Sequence, residues 1–295
     1  CLGDSSIYTN SSNGGTWSVL DPSIFKVNSQ GKITALKKGS TDLNYAYTVN
    51  GCTALAAKTI LVNSLPLVKA NATSLELCKG ATVILSGSGA ITYSWDNGVS
   101  DGVSFAPTST KKYKVTGTDG NGCQQVDSVT VVVNNLPTVT ANSDKTTICK
   151  GESVVLTGGG AKDYTWDNGA TNGVAISPTS TTNYTVEGTD IKGCKNTALV
   201  NVKVNALPIV TASASKTTVC FNDDVTLTGG GAVSYDWDKG KTNGVSFKAQ
   251  ATETYTVTGT DVNGCTNTES VTVTMNALPL VKANATSLEL CKGAT

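Results

Sequence analysis

The sequence contains an exact internal duplication. The stretch Leu65–Thr82, LPLVKANATSLELCKGAT, returns letter for letter at Leu278–Thr295. Looser copies begin at Leu136 and Leu207, so that successive starts are separated by about 71 residues. A fixed period of this length is typical of a tandem array, in which each repeat is a structural unit. The chain is therefore expected to be a string of small similar domains rather than one large domain.

The period also sets the expected domain boundaries. Three full repeats cover 65–135, 136–206 and 207–277, and the last 18 residues, 278–295, would supply the first strand and turn of a further repeat. Residues 1–64 do not follow the repeat pattern and are expected to form a module of another kind.

The composition argues against several classes of function. Charge is balanced, with 22 Lys plus Arg against 22 Asp plus Glu, and no basic run is present that could neutralise phosphates. The chain has no His and no Arg, so it lacks the commonest general base and the guanidinium group that clamps anions. We therefore expect no enzyme, no catalytic residues, no cofactor, no metal site, no nucleic-acid partner and no membrane span in this segment.

Cysteines follow the period. Seven of the nine fall into two series: Cys78, Cys149, Cys220 and Cys291 in one, and Cys123, Cys194 and Cys265 in the other. Each repeat thus owns a pair about 45 residues apart, and Cys1 and Cys52 form a fourth pair. One pair per domain predicts disulfides formed outside the cytosol, whereas a metal site would need clustered Cys-x-x-Cys spacing. The expected bridges are Cys78–Cys123, Cys149–Cys194, Cys220–Cys265 and Cys1–Cys52, with Cys291 left over.

The first module alternates apolar and polar residues in short bursts broken by Gly, Pro, Asn and Ser, which predicts strands joined by tight turns. It resembles the bacterial Ig-like group 2 domain, which implies an Ig-like β-sandwich. The resemblance rests on Trp17, Ser18, Val27, Gly31, Ile33, Thr34, Ala35, Gly39 and Tyr45. Against that pattern, the first strand of the domain is missing before Cys1.

Within each full repeat the alternation predicts about seven short strands. Val83 and Leu85 mark a strand with one buried face, and Tyr93 and Trp95 mark the next, followed by an Asp-Asn-Gly turn. The later strand holds Gly117, which is predicted to leave room for the Trp ring. Strands in this number around one Trp indicate a compact β-sandwich.

Successive repeats are joined by the short segment Asn-x-Leu-Pro. It recurs at Asn63–Pro66, Asn134–Pro137, Asn205–Pro208 and Asn276–Pro279. So short a linker with a proline cannot act as a free coil. The predicted fold class is all-β, a tandem array of small Ig-like sandwiches joined end to end.

Two features of the repeats could indicate ligand binding instead of a structural role. Asp119, with Asn121 two residues later, resembles the start of a calcium loop, although the second repeat places Lys192 at the ligand position and tight turns favour the same residues. The tryptophans could stack on sugars, although one core Trp per sandwich is the ordinary case. We favour a tight turn at Asp119 and a core position for the tryptophans.

Glycosylation is a further hypothesis. Asn71 and Asn183 begin Asn-x-Ser/Thr triplets, and Ser128 lies in an Asp-Ser-Val triplet of the type used for O-linked sugars in Bacteroidota-type surface proteins.

The repeat as a whole resembles the Ig-like repeats of very large Bacteroidota-type surface proteins, such as SprB-like gliding adhesins. The best matching parts are Pro107–Tyr113 and Pro178–Tyr184; the third copy departs at Lys248–Gln250. The resemblance implies a structural segment of an extracellular fibre or adhesin stalk at the bacterial cell surface, whose partners are neighbouring domains or copies of itself. The alternatives are a carbohydrate-binding or accessory array that contacts surface glycans, and a filament subunit assembled by strand donation.

Overall fold

The computed structural model describes residues 1–282, and within that range the chain consists of strands, turns and loops. The all-β class predicted from the sequence is confirmed. Between residues 1 and 282 no helix has the length and hydropathy needed to cross a membrane. The predicted strand and turn of 278–295, and Cys291 with them, fall mainly outside the described residues.

The first module contains six strands in two sheets. One sheet has the order β1-β4-β3 and the other has the order β2-β5-β6. The two long strands β5 and β6 pair along their whole length through the tight turn at Asn50 and Gly51, both of which have positive φ. The strands are β1 (Ser5–Ile7), β2 (Thr16–Val19), β3 (Phe25–Val27), β4 (Lys32–Ala35), β5 (Gly39–Val49) and β6 (Cys52–Val62).

The first repeat contains seven strands, in a four-stranded sheet β10-β12-β13-β8 and a three-stranded sheet β11-β9-β7. All pairs are antiparallel except one: the short strand β8 runs parallel to the last strand β13. The strands are β7 (Lys69–Ala72), β8 (Glu76–Cys78), β9 (Val83–Ser88), β10 (Thr92–Trp95), β11 (Ser104–Phe105), β12 (Lys111–Thr118) and β13 (Gln124–Asn134).

The second and third repeats have the same two sheets. In the second, the strands are β14 (Thr140–Ser143), β15 (Thr147–Cys149), β16 (Val154–Gly159), β17 (Asp163–Trp166), β18 (Ala175–Ile176), β19 (Thr182–Thr189) and β20 (Lys195–Asn205). In the third, they are β21 (Thr211–Ala214), β22 (Thr218–Cys220), β23 (Asp224–Gly230), β24 (Ser234–Trp237), β25 (Ser246–Lys248), β26 (Glu253–Thr260) and β27 (Thr266–Asn276).

The period-two pattern explains each core. In the first repeat, Val83 and Leu85 of β9 and Val115 of β12 point inward and are almost completely buried, and they pack with the buried Trp95. The same positions of the second and third repeats build the same clusters. Burial of one face of each strand is what alternating sequences achieve in a sandwich, because successive side chains point to opposite faces.

Gly117 does not make room for the Trp ring, so that prediction is wrong. A Cβ placed on Gly117 would lie 2.6 Å from Val68 and 2.9 Å from the methyl group of Ala90. The glycine therefore admits the apolar side chain that follows the Leu-Pro segment. Size alone suggested the wrong neighbour because Trp95 pairs with Val115, two residues earlier on β12.

By its contacts the chain divides into two compact units. The first comprises 1–137 together with 189–195, and the second comprises 138–188 together with the chain from Asn196 onward. The segment 189–195, which belongs to the first unit, is the hairpin that precedes the last strand of the second repeat.

Candidate functional site

The most regular chemical feature of the chain is the hairpin before the last strand of each repeat, which has the sequence Asp-x-x-Gly-Cys. In the first repeat, the Asp119 carboxylate accepts hydrogen bonds from the backbone N–H groups of Asn121 and Cys123, both at 2.8 Å. The backbone N–H of Asp119 donates to the carbonyl of Cys123, and Gly122 adopts the positive φ that the turn requires. The loop thus holds its cysteine in one fixed position.

The other two hairpins repeat this geometry. Asp190 accepts from the N–H groups of Lys192 and Cys194 at 2.8 and 2.9 Å, and Asp261 accepts from those of Asn263 and Cys265 at 2.8 Å each. Although partial desolvation would raise the pKa of Asp261, the N–H donors of Cys265 and Asn263 outweigh it and hold that pKa below its usual range.

This arrangement is that of a turn rather than a calcium loop. The same carboxylate oxygen receives two N–H donors, and Lys192 contributes its backbone and not an oxygen ligand. Among residues 1–282, no group of three or more His, Cys, Asp or Glu side chains is placed to hold a metal ion.

A second cysteine stands at the end of the short parallel strand. Cys78 lies opposite Asn134, the last residue of β13, and the N–H of Lys79 donates to the Asn134 carbonyl at 2.8 Å. The turn is then closed by the N–H of Ala81, which donates to the Cys78 carbonyl at 3.0 Å. We call this the strand-end cysteine, and the one in the Asp-x-x-Gly-Cys loop the hairpin cysteine.

The structure joins each hairpin cysteine to a cysteine of the preceding domain, so the predicted pairing within domains is wrong. The partner is a strand-end cysteine in two bridges and Cys1, which precedes β1, in the third. The bridges are Cys1–Cys123, Cys78–Cys194 and Cys149–Cys265, with Cα atoms 5.4 to 5.5 Å apart. Each bridge lies inside one of the two compact units. Cys52 and Cys220, which were expected to be bridged, are free and exposed.

Strand geometry explains why the predicted pairs cannot form. Cys78 lies beside Asn134 at the end of β13, whereas Cys123 immediately precedes the start of that same strand. Eleven residues of extended strand span about 36 Å, far beyond the roughly 7 Å that a disulfide tolerates between Cα atoms. The two cysteines of a repeat therefore lie at opposite ends of its sandwich.

The hairpin cysteines are the buried half of each bridge. Cys123, Cys194 and Cys265 are no more than 1% exposed, while their partners Cys1, Cys78 and Cys149 are half-buried. An exposed ion pair lies near the Cys78–Cys194 bridge: the ammonium group of Lys192 is 3.2 Å from the carboxylate of Glu76. Hydrogen bonds from Asn134 and Lys192 lower the pKa of Glu76.

The tryptophans of the three repeats are core residues. Trp95, Trp166 and Trp237 are at most 7% exposed, and each indole N–H donates to an acceptor six residues later, which is Asp101, Asn172 or Asn243. The same acceptor takes a backbone N–H from the preceding strand, for example that of Gly87 at 2.7 Å. These rings present no face for a sugar.

The glycosylation candidates remain predictions. Asn71 and Asn183 are exposed, and Ser128 is half-buried on β13. The Asn71 amide already donates to the carbonyl of Ser86 at 3.2 Å, and the Asn183 amide oxygen accepts from Asn201 at 2.7 Å. The neighbour of Ser128, Asp127, accepts the N–H of Ala70, which lowers the pKa of the carboxyl.

No protein-family model matches this chain. No curated protein matches it either. Three solved structures are weakly similar to this chain. They are a Ca²⁺-stabilised, ice-binding adhesin of an Antarctic bacterium (17% identity, 92% of this chain and 93% of that chain, TM-score 0.34), the ICAM-5 D1–D4 ectodomain fragment (12%, 90% and 92%, 0.40) and Drosophila N-cadherin EC1-4 (12%, 93% and 94%, 0.24). Likenesses this weak carry no argument about what the chain does.

Proposed function

We propose that this chain is a load-bearing, non-catalytic segment of an extracellular fibre or adhesin stalk at a bacterial cell surface. The observation that carries the proposal is the staggered set of disulfides, in which each bridge joins one domain to the next. Bridges of this kind need an oxidising compartment. They also shorten the covalent path along the chain more than bridges inside domains would, because each bridge spans the boundary between two domains.

The covalent path determines how far the chain can lengthen when its domains unfold. Without bridges, Cys1 and Cys265 are separated by about 264 residues, or about 900 Å of extended chain. With them, a pulling force passes from Cys1 to Cys123, along about 26 residues to Cys149, and across to Cys265. That path is about 90 Å long when fully extended.

The staggered pairing limits extension more strongly than pairing inside domains would. If Cys1–Cys52, Cys78–Cys123, Cys149–Cys194 and Cys220–Cys265 were the bridges, about 78 residues would remain free to extend, or about 270 Å. The observed pairing leaves about a third of that length. A stalk that carries load benefits from the difference, since a domain that unfolds lengthens the fibre less.

Single-molecule stretching of the 295-residue chain, held by its two ends, tests the proposal. In the oxidised chain, unfolding between Cys1 and Cys265 should leave no more than about 90 Å of contour, while the reduced chain should lengthen toward about 900 Å in separate steps. Equal lengthening of oxidised and reduced chains would overturn the load-bearing role.

Two double variants distinguish the staggered pairing between domains from pairing inside domains. Cys78→Ser/Cys194→Ser leaves the shortest path intact, so the oxidised contour should not change. Cys1→Ser/Cys123→Ser forces the path through Cys78–Cys194, which raises the contour to about 430 Å. A large increase with the first variant would instead indicate pairing inside domains.

A further inference from the structure

A cavity recurs at the same place in each of the three repeats. It lies between the turn that follows the Trp-bearing strand and the segment that leads into the next long strand, β12, β19 or β26, and a Tyr of that long strand lines it. The Tyr is Tyr113, Tyr184 or Tyr255, and the cavity volumes are about 320, 360 and 470 Å³ in the same order. The cavity of the third repeat is thus the largest of the three, and it also differs from the others in charge.

Three lysines line the cavity of the third repeat, which we call the lysine cavity. Lys239 lies in the turn after β24, Lys241 follows two residues later, and Lys248 ends β25. The first and second repeats have uncharged residues at these positions, namely Asn97, Val99 and Ala106, and Asn168, Ala170 and Ser177. The third repeat contains only one other lysine, Lys216. Three separate positions of the sequence therefore concentrate positive charge at one place in the fold.

The backbone at Lys239 is unusual for a lysine. Its φ is 53°, in the left-handed region, and the equivalent Asn97 and Asn168 have φ of 57° and 50°. Asn enters this region more readily than most residues with a Cβ, because its short polar side chain can hydrogen-bond locally. Residues in sparsely populated backbone conformations cluster at functional sites. A lysine in place of the asparagine therefore indicates a role for its side chain.

Aromatic rings hold two of the ammonium groups. The ammonium of Lys239 lies 5.1 Å from the centre of the Tyr255 ring, and that of Lys241 lies 4.2 Å from the centre of the Phe247 ring. A ring contact attracts a cation while leaving N–H donors free to bond elsewhere. Within residues 1–282, Lys241 has no carboxylate at ion-pair distance. It therefore brings an uncompensated positive charge to the cavity.

The other two ammonium groups have acidic partners that a ligand can share. Lys239 lies 3.4 Å from Glu253, and Lys248 lies 2.8 Å from Asp224. All four side chains are exposed, and exposed pairs of this kind are weak. The carboxylate of Asp238 accepts a backbone N–H of β26 at 3.1 Å. The cavity thus offers three ammonium groups against two loosely held carboxylates.

We propose that the lysine cavity binds an acidic polysaccharide, whose carboxylate or sulfate groups lie among the three ammonium groups. Lysine is a flexible point charge and suits anionic groups of either shape. Gln250 lines the same cavity, and its amide can bond to sugar hydroxyls. A volume of about 470 Å³ lies in the range of small-molecule sites. Apart from Tyr255, the lining side chains are small or polar, so the cavity offers little to the apolar side chains of an acidic peptide. Such a site would hold the stalk against a polysaccharide, a role separate from load bearing.

Calorimetric titration of the 295-residue chain, with its disulfides formed, provides the test. The probes are short oligosaccharides of one length, taken from a polyuronate, a sulfated polysaccharide and a neutral glucan, together with an acidic peptide of matched charge. The parent chain should bind at least one of the two anionic oligosaccharides and leave the neutral one unbound. The tighter of the two identifies the anionic group that the site prefers.

The second repeat supplies the residues for a loss-of-binding variant. Lys239→Asn/Lys241→Ala/Lys248→Ser gives the lysine cavity the side chains that the same fold already carries at 168, 170 and 177. Affinity should fall at least about tenfold, because hydrogen bonds to charged groups are lost. The control Lys145→Asn/Lys150→Ala/Lys203→Ser removes the same charge from exposed positions of the second repeat and should bind as the parent does. Urea unfolding of both variants verifies that they are folded.

The reverse exchange is a test by gain of binding. Asn168→Lys/Ala170→Lys/Ser177→Lys should create a second binding site in the second repeat, so that the titration shows a higher stoichiometry. Four results would overturn the proposal: no binding of either anionic oligosaccharide, equal binding of the neutral one, equal losses in the cavity variant and the charge control, or tighter binding of the acidic peptide than of both anionic oligosaccharides.

Discussion

The first module and the repeats end in the same kind of hairpin but build it differently. In the repeats, an Asp carboxylate ties down a three-residue loop, and the cysteine is buried under its bridge. In the first module, a two-residue Asn-Gly turn connects β5 to β6, and Cys52 is an exposed thiol that pairs with Val49 in the ladder. The cysteine is therefore buried where it is bridged and lies just before the strand, and it is exposed where it is free and begins the strand.

A second difference lies on the strand that pairs with the Trp-bearing strand, which is β5 in the first module and β12 in the first repeat. Trp17 pairs with Tyr45 as Trp95 pairs with Val115, so Tyr47 of the first module stands where the repeats have Gly117. In the repeats that glycine receives Val68. Because Tyr47 places a large ring at the same position, an added strand of the repeat type would lose its apolar contact there, which weighs against assembly by strand donation.

The largest expected effect concerns the bridges themselves. The double variant Cys78→Ala/Cys194→Ala reopens a loop of about 116 residues, and the free energy of unfolding should fall by about 5 kcal/mol on the chain-entropy estimate. Cys52→Ala is the matched control, because its thiol is exposed and unbridged, and should change stability by less than about 0.5 kcal/mol. Urea unfolding followed by Trp fluorescence measures both. Equal effects of the two variants would contradict the bridge assignment.

The next largest loss of stability is expected at the glycine that contacts the valine after the Leu-Pro segment of each repeat. In the second repeat, a Cβ on Gly188 would lie 2.7 Å from Val139 and 2.8 Å from Ala161, so Gly188→Ala should cost about 1–3 kcal/mol of unfolding free energy. Gly120→Ala is the control, because its Cβ would meet only the flexible end of Ile91 at 3.2 Å.

A second substitution makes the glycine prediction sharper. Val139→Ala should reduce the cost of Gly188→Ala when the two are combined, because it removes the methyl groups that the new Cβ meets. Additive losses in a double-mutant cycle would show that the contact is not the cause.

The third effect is a dependence on pH. The pKa of Asp261 is lowered in the folded protein, so the stability that its carboxylate contributes is present above the unfolded pKa and is lost as pH falls through the folded value. The third repeat should therefore lose stability below about pH 4, and Asp261→Asn should flatten this dependence. Thermal unfolding between pH 2 and 6 measures it. An unchanged slope in the variant would assign the acid sensitivity to another carboxyl group.

The smallest effect is expected at the exposed ion pair. Glu76→Gln removes the charge that faces Lys192 and keeps an oxygen that can accept from Asn134. Pairs exposed to water on both sides contribute little, and salt screens them. At high salt, we expect the urea unfolding midpoint of Glu76→Gln to equal that of the parent protein. A clear loss at high salt would show that the pair, and not only the disulfide, holds this bridge.

Much of the fold was determined by the sequence alone. The period of about 71 residues, the alternation at Val83 and Leu85 and the Tyr-x-Trp strand predicted an all-β chain of small sandwiches because side-chain direction along a strand is a local property. The Asp-Asn-Gly hairpins could be read in the same way, since turn residues act within four or five positions.

The cysteine pairing was decided only by the tertiary structure. A spacing of about 45 residues and one of 116 fit the period equally well, because they differ by one repeat. What separates them is the parallel pairing of β8 with β13, which places Cys78 and Cys123 at opposite ends of one sandwich. That pairing joins residues more than fifty positions apart, and no local pattern records it. The sequence determined that bridges would form, and the direction of one short strand decided which cysteines they join, from one domain to the next.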